Sequence, residues 1–79
     1  MFLLVRSTKK LELQKLSAVI KKYVKNLELQ RFDNYKEGIE AIFNTEALNE
    51  NSLDAITKEL KGLDSGAEIS FSENKGWFN

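Results

Sequence analysis

The sequence predicts a small α+β domain of the ferredoxin-like kind. Four strand-like segments and two helix-like segments follow one another in the order βαββαβ within 79 residues. Each βαβ half has a right-handed crossover, so both helices are expected on one face of the sheet. We therefore predict a four-stranded antiparallel sheet with strand order 4-1-3-2, formed by a single domain at residues 1–79.

The first strand is predicted at residues 2–5, a continuous apolar run that is typical of a central strand covered on both faces. A helix is predicted next, from Lys9 to Val24, with lysines on its outer face. Ser7 or Thr8 is expected to cap this helix. The apolar residues at helical spacing are Leu13, Leu16, Ile20, Tyr23 and Val24.

The second and third strands are predicted to form a hairpin. Leu27, Leu29 and Arg31 alternate with Glu28, Gln30 and Phe32, which predicts a half-buried strand with one imperfect position. Residues 33–36 are typical of a turn. Ile39, Ala41 and Phe43 then alternate with other side chains, which predicts the third strand.

The second helix is predicted after residues 49–52, which are helix-capping types, and its apolar side is formed by Leu53, Ile56 and Leu60. Gly62 stands where a left-handed C-terminal cap is expected. Residues 64–66 predict a turn. The fourth strand follows, with Ala67, Ile69 and Phe71 alternating with polar residues.

The composition excludes several kinds of chemistry. The chain has no Cys and no His, which excludes disulfides and Cys-based zinc sites and removes the usual general base. The carboxylates have spacings that specify no metal loop and are interpreted as solvated surface groups; we predict no catalytic residue, metal or cofactor. These carboxylates belong to Glu46, Glu50, Asp54, Asp64, Glu68 and Glu73.

One candidate site is a weak anion-binding site at the start of the predicted first helix. Its residues are Ser7, Thr8, Lys9 and Lys10. Backbone N–H groups and the helix dipole favour an anion at such a place. The alternative is an ordinary helix cap beside solvated lysines. The sequence favours this alternative, because nearly every helix start offers such groups.

The second candidate is an interaction surface on the open face or edge of the sheet. Ile42 points away from its neighbours in the third strand, and two large aromatic residues stand near the end of the chain. The predicted surface consists of Ile42, Ile69, Phe71, Trp77 and Phe78. A free apolar sheet face marks a partner surface. The alternative is that the tail folds back and covers this face within one molecule.

An RNA-binding module on the open sheet face is the alternative function. This function needs stacking aromatic residues on the central strands with basic residues beside them. In the third strand, Ile39 and Ala41 stand where aromatic residues would be expected, and Glu37 replaces a basic residue. Lys plus Arg and Asp plus Glu are 12 each, so the net charge is zero and no nucleic-acid partner is expected.

With these elements placed, the chain resembles ACT-like domains, small ferredoxin-like modules that regulate other proteins. More narrowly, it resembles the soluble C-terminal domain of small bacterial membrane proteins of the MgtC kind. The glycine of amino-acid-binding ACT domains is absent at residues 6–10, so no ligand residues are implied. The segments that support the resemblance are residues 2–7, 20–24, 60–63 and 70–77.

These observations predict a non-catalytic regulatory or protein-interaction domain rather than an enzyme. The abrupt apolar start after Met1 predicts a domain cut from a larger protein. The resemblance implies a cytoplasmic module, joined to a membrane only through a transmembrane region outside this sequence. We expect a homodimer, formed either through a sheet edge, with strand four favoured, or through the open sheet face. We also expect contacts with the rest of the parent protein.

Overall fold

A computed structural model describes residues 1–73 of the chain, and these residues form one antiparallel sheet with two helices. The strand order β2-β3-β1-β4 confirms the predicted ferredoxin-like arrangement, with β1 and β3 in the centre. The elements are β1 (Phe2–Ser7), α1 (Leu13–Lys21), β2 (Val24–Tyr35), β3 (Gly38–Ala47), α2 (Asn51–Leu63) and β4 (Glu68–Ser72).

The core lies between the two helices and one face of the sheet. Alternate residues of β1 and β3 point into it, because successive side chains of a strand face opposite sides. Each fully buried apolar side chain contributes roughly 1.5–3 kcal/mol to folding. The core cluster consists of Leu3, Val5, Leu16, Ile20, Val24, Ile39, Ala41, Phe43, Ile56 and Leu60. Both helices supply members of this single cluster, so both cover the same face of the sheet, as predicted.

The first helix is shorter than the sequence predicts. It begins at Leu13 instead of Lys9, and Glu12 stands at its N-cap without a side-chain hydrogen bond. Ser7 and Thr8 do not cap it, because they precede the N-cap residue by four residues or more, and their hydroxyl groups bind a carboxylate elsewhere in the fold. The helix ends at Lys21, since Val24 is already paired with Ala47 in the sheet.

The second strand is longer than predicted and contains two irregularities. Its pairing with β3 shifts between Val24 and Asn26 and again between Leu29 and Arg31. The second shift leaves Gln30 as an extra residue, so Arg31 changes to the other face of the sheet. This bulge explains the imperfect position in the predicted alternation. The turn of the hairpin lies at residues 36–37 instead of 33–36.

The second helix begins at Asn51, within the segment of capping residues predicted at 49–52, and it ends differently from the prediction. The Asn51 N–H donates to Asn49 Oδ1 at 2.9 Å, and the Asn49 N–H donates to Ser52 Oγ at 3.2 Å. Gly62 lies inside the helix, and no glycine of residues 1–73 has a positive φ. The predicted left-handed cap at Gly62 is therefore wrong. The Asp64 N–H closes the helix by donating to the Leu60 carbonyl at 3.0 Å.

Candidate functional site

The residues of the predicted anion site lie at the end of β1 and in the loop before α1. Ser7 is the last residue of β1, and α1 begins only at Leu13, so no helix N-terminus lies here. Ser7 and Thr8 donate to Asp64. Lys9 Nζ approaches the Leu63 carbonyl at 3.5 Å, and Lys10 Nζ donates to Asn34 Oδ1 at 2.5 Å. The chain itself therefore supplies a partner to each of the four predicted residues.

Asp64 is the centre of a buried hydrogen-bond network that the sequence did not indicate. Its Oδ2 accepts from Ser7 Oγ at 2.8 Å and from the Thr8 N–H at 2.8 Å. Its Oδ1 accepts from the Gly66 N–H at 3.0 Å, and the Thr8 hydroxyl lies 3.0 Å from Oδ2. Asp64 is only 3 % exposed, so its interpretation as a solvated surface group is wrong. The sequence feature that points to this role is an aspartate two residues before a glycine, the spacing at which an Asx-turn lets the carboxylate accept from the glycine N–H.

These donors lower the pKa of Asp64 to about 2, with the Ser7 hydroxyl as the largest cause. The backbone N–H groups of Thr8 and Gly66 act in the same direction, and burial opposes them. The carboxylate is thus ionised at neutral pH and fully hydrogen-bonded. A carboxylate with so low a pKa is a poor general base near neutral pH. We assign it a structural role, in which it ties the loop after β1 to the turn before β4.

The stability of the fold should therefore decrease in acid in a way that depends on Asp64. Because its pKa is lowered by folding, Asp64 contributes stability above pH 4, and this contribution disappears as the pH falls through about 2. Protonated Asp64 resembles an asparagine, with one acceptor and one donor group. We expect the difference in unfolding free energy between the chain and Asp64→Asn to shrink between about pH 5 and pH 2, measured by urea unfolding. A difference independent of pH would contradict this assignment.

A cleft of about 310 Å³ lies beside this network, between the end of β1, the tip of the β2–β3 hairpin and the start of β4. Arg6 is the basic residue of its lining, and Arg6 Nε lies 2.7 Å from Glu40 Oε2. The Arg6 Nη1 atom lies 3.8 Å from Glu68 Oε2. The hydrogen bond and the charge of Glu40 raise the pKa of Arg6. The guanidinium charge is thus balanced by two carboxylates, which does not favour an anionic ligand.

Ile42 lies on the open face of the sheet, opposite the helices, as the alternation of the third strand predicts. Leu4 pairs with Ile42 and with Ser70, so these three residues form one row across the face. Ile42 is 9 % exposed, which leaves little of its surface for a partner. Ile39 and Ala41 belong to the opposite face and are buried in the core. Their assignment to the positions of stacking aromatic residues is therefore wrong, because those positions on β3 belong to Glu40 and Ile42.

The charges on this open face are mostly negative. Arg6 and Arg31 are each held by a carboxylate, Arg6 by Glu40 at 2.7 Å and Arg31 by Asp33 at 2.6 Å. Glu28 and Glu68 add further carboxylates to the same face. Each pairs across the sheet with a residue whose side chain lies on the open face, and paired residues point to the same side. A nucleic acid would be repelled by such a face.

Two further predicted interaction residues lie on β4. Ile69 pairs with Val5 and Phe71 pairs with Leu3, so both point to the helix side of the sheet. They pack against the core cluster and are half-buried. They consequently belong to the edge of the core and not to the open face. The remaining two predicted residues, Trp77 and Phe78, lie outside the described residues.

The two edges of the sheet differ in their protection against further pairing. β2 carries both register shifts, and it is mostly exposed. Bulges and charged side chains are the devices by which proteins prevent strand addition at an edge. β4 pairs with β1 without a register shift, and Glu68 is its charged residue. The charged residues of β2 are Lys25, Glu28, Arg31 and Asp33.

Comparison with known proteins found no matching family model, no similar curated protein and no similar solved structure. The resemblance to ACT-like domains thus stays a prediction. Within residues 1–73, no helix is long and apolar enough to cross a membrane. The same residues contain no group of three or more acidic side chains placed to hold a metal ion.

Proposed function

We propose that this chain is a non-catalytic protein-interaction module that pairs with a strand of a partner at the outer edge of β4. On the strength of the predicted resemblance, the proposal adds that the module is the cytoplasmic C-terminal domain of a larger bacterial membrane protein. The difference between the two sheet edges is the observation that carries the proposal. β2 is irregular and charged, whereas β4 is regular and carries one charge over its five residues.

The backbone of β4 supports this proposal. The Thr45 N–H donates to the Met1 carbonyl at 2.8 Å, so the backbone groups of Met1 point toward β3. Hydrogen bonding alternates along an antiparallel strand, so the backbone groups of the next residue, Phe2, and those of Leu4 and Arg6 point toward β4. Their partners on β4 are Ser72, Ser70 and Glu68. The backbone groups of Ile69 and Phe71 consequently point outward, where a partner strand can bond to them.

The side chains of β4 support it as well. Ile69 and Phe71 pack against the core but remain half-exposed at the end of the sheet. A strand added beside them would bury this remaining apolar surface and extend the core across the interface. Specificity would then come from the side chains of the partner that meet Ile69 and Phe71.

An edge strand that accepts a partner strand also accepts the same strand of its own copy, so we expect the chain to self-associate in a concentration-dependent way. We expect Ser70→Lys to weaken the association by about tenfold or more. Lysine on an edge strand opposes strand addition, because pairing would desolvate its charge. The measurement is sedimentation equilibrium over a concentration series. The matched control is Gln30→Lys on the opposite edge strand, which should leave the association unchanged.

Two results of this experiment would contradict the proposal. One is a monomer at every concentration, and the other is a dimer that Gln30→Lys weakens as strongly as Ser70→Lys. The combined variant Trp77→Ala with Phe78→Ala tests the predicted contribution of the chain end. Weaker association of that variant would add these two residues to the interface.

A further inference from the structure

We infer that the strand accepted by β4 is β4 of a second copy, in an antiparallel pair whose two-fold axis passes beside Ser70. This inference rests on the proposed function, because it names the partner and the register of the same edge. It follows from the residue pattern of β4 and from the direction of its backbone groups.

The symmetric register pairs every residue of β4. With Ser70 opposite its own copy, Ile69 stands opposite Phe71 and Glu68 stands opposite Ser72 of the second molecule. The outward backbone groups of Ile69 and Phe71 then face each other, which is the arrangement of a hydrogen-bonded antiparallel pair. The two-fold axis generates the same pair a second time, so the two strands are hydrogen-bonded on both sides of Ser70.

The side chains also fit this register. Ile69 and Phe71 lie on the helix side of the sheet, so their pairing joins the two cores by a β-branched and an aromatic side chain. Glu68, the charged residue of the strand, meets a serine and not its own copy. In this register β4 pairs with its copy without opposing like charges and with its apolar residues in contact.

The neighbouring symmetric registers pair fewer residues of the strand. An axis beside Ile69 sets Phe71 against Ala67, which precedes β4, and leaves Ser72 opposite Gly66 in the turn. An axis beside Phe71 sets Ile69 against Glu73, which follows the strand. Each of these arrangements separates the apolar pair that the axis beside Ser70 brings together.

Single-cysteine variants test this register directly, because the chain contains no Cys. In the inferred dimer Ser70 forms a non-hydrogen-bonded pair with its copy, at a Cα separation of about 4.5 Å that a disulfide can span. Two Glu68 residues would be four positions apart along the strands, at roughly 13 Å. We expect Ser70→Cys to form a disulfide-linked dimer at least about tenfold faster than Glu68→Cys or Gln30→Cys under mild oxidation.

The possible outcomes separate the register from the proposed function. Fast disulfide formation by Ser70→Cys alone supports both the register and the proposed function. Amide hydrogen exchange at Ile69 and Phe71 should then be slower in the disulfide-linked dimer than in Ser70→Lys. Equal linking at Glu68→Cys overturns the register, whereas a dimer sensitive to Ser70→Lys still supports the function. Preferred linking at Gln30→Cys overturns both, as does a monomer at all concentrations with no linking.

Discussion

Gly38→Ala should destabilise the fold by about 3 kcal/mol or more, a large share of the roughly 4–12 kcal/mol expected for a domain of this length. A Cβ atom at Gly38 would lie 1.9 Å from the Ser7 carbonyl oxygen and 2.9 Å from its carbonyl carbon. Both atoms belong to the backbone of the central strand β1, so no side-chain rotation removes the overlap. The strands would have to separate at the point where Ser7 pairs with Ile39. Urea unfolding followed by far-UV circular dichroism measures the loss.

Gly62→Ala is the matched control, because the same methyl group is added where nothing lies within 4 Å. Gly62 is inside α2 and its φ is not positive, so alanine should stabilise the helix by about 0.5–1 kcal/mol. The two substitutions are therefore expected to have opposite signs. If Gly38→Ala were as stable as the parent chain, the close approach of β1 to the start of β3 would be wrong.

The fold was predictable because its core residues recur with the period of their elements. Leu16 and Ile20 fall at helical spacing, and Ile39, Ala41 and Phe43 alternate, and all of them are buried. The boundaries depended on tertiary contacts that no local pattern contains. Val24 extends the helical spacing of α1, but it lies in β2 because Ala47 pairs with it.

The candidate site was less predictable for the same reason. Ser7 and Asp64 are 57 positions apart in sequence, and only the folded sheet brings their side chains together. The bulge at Gln30 is equally hidden, since an extra residue looks like a flaw in the alternation of β2. The alternation of Ala67, Ile69 and Phe71 is enough to favour β4 as the pairing edge. The irregularity of β2 is visible only in the register of its pairing with β3.

Asp64→Ala should lower the midpoint of thermal unfolding by roughly 10 °C or more, because it removes one acceptor from several donors at once. The N–H groups of Thr8 and Gly66 and the hydroxyl of Ser7 would lose their acceptor in a site that is nearly closed to water. The loop after β1 and the turn before β4 would also lose their link. Differential scanning calorimetry of the variant and the parent chain measures the change.

The matched variant Thr8→Val removes one donor and leaves the acceptor in place. Valine keeps the shape of threonine, and Asp64 retains the Ser7 hydroxyl and the two backbone N–H groups. Loss of a single hydrogen bond to a satisfied acceptor costs about 1 kcal/mol, or roughly 5 °C in a domain of this size. Equal effects of Thr8→Val and Asp64→Ala would contradict a central carboxylate. A larger effect of Asp64→Ala places the link between the loop after β1 and the turn before β4 on this one side chain.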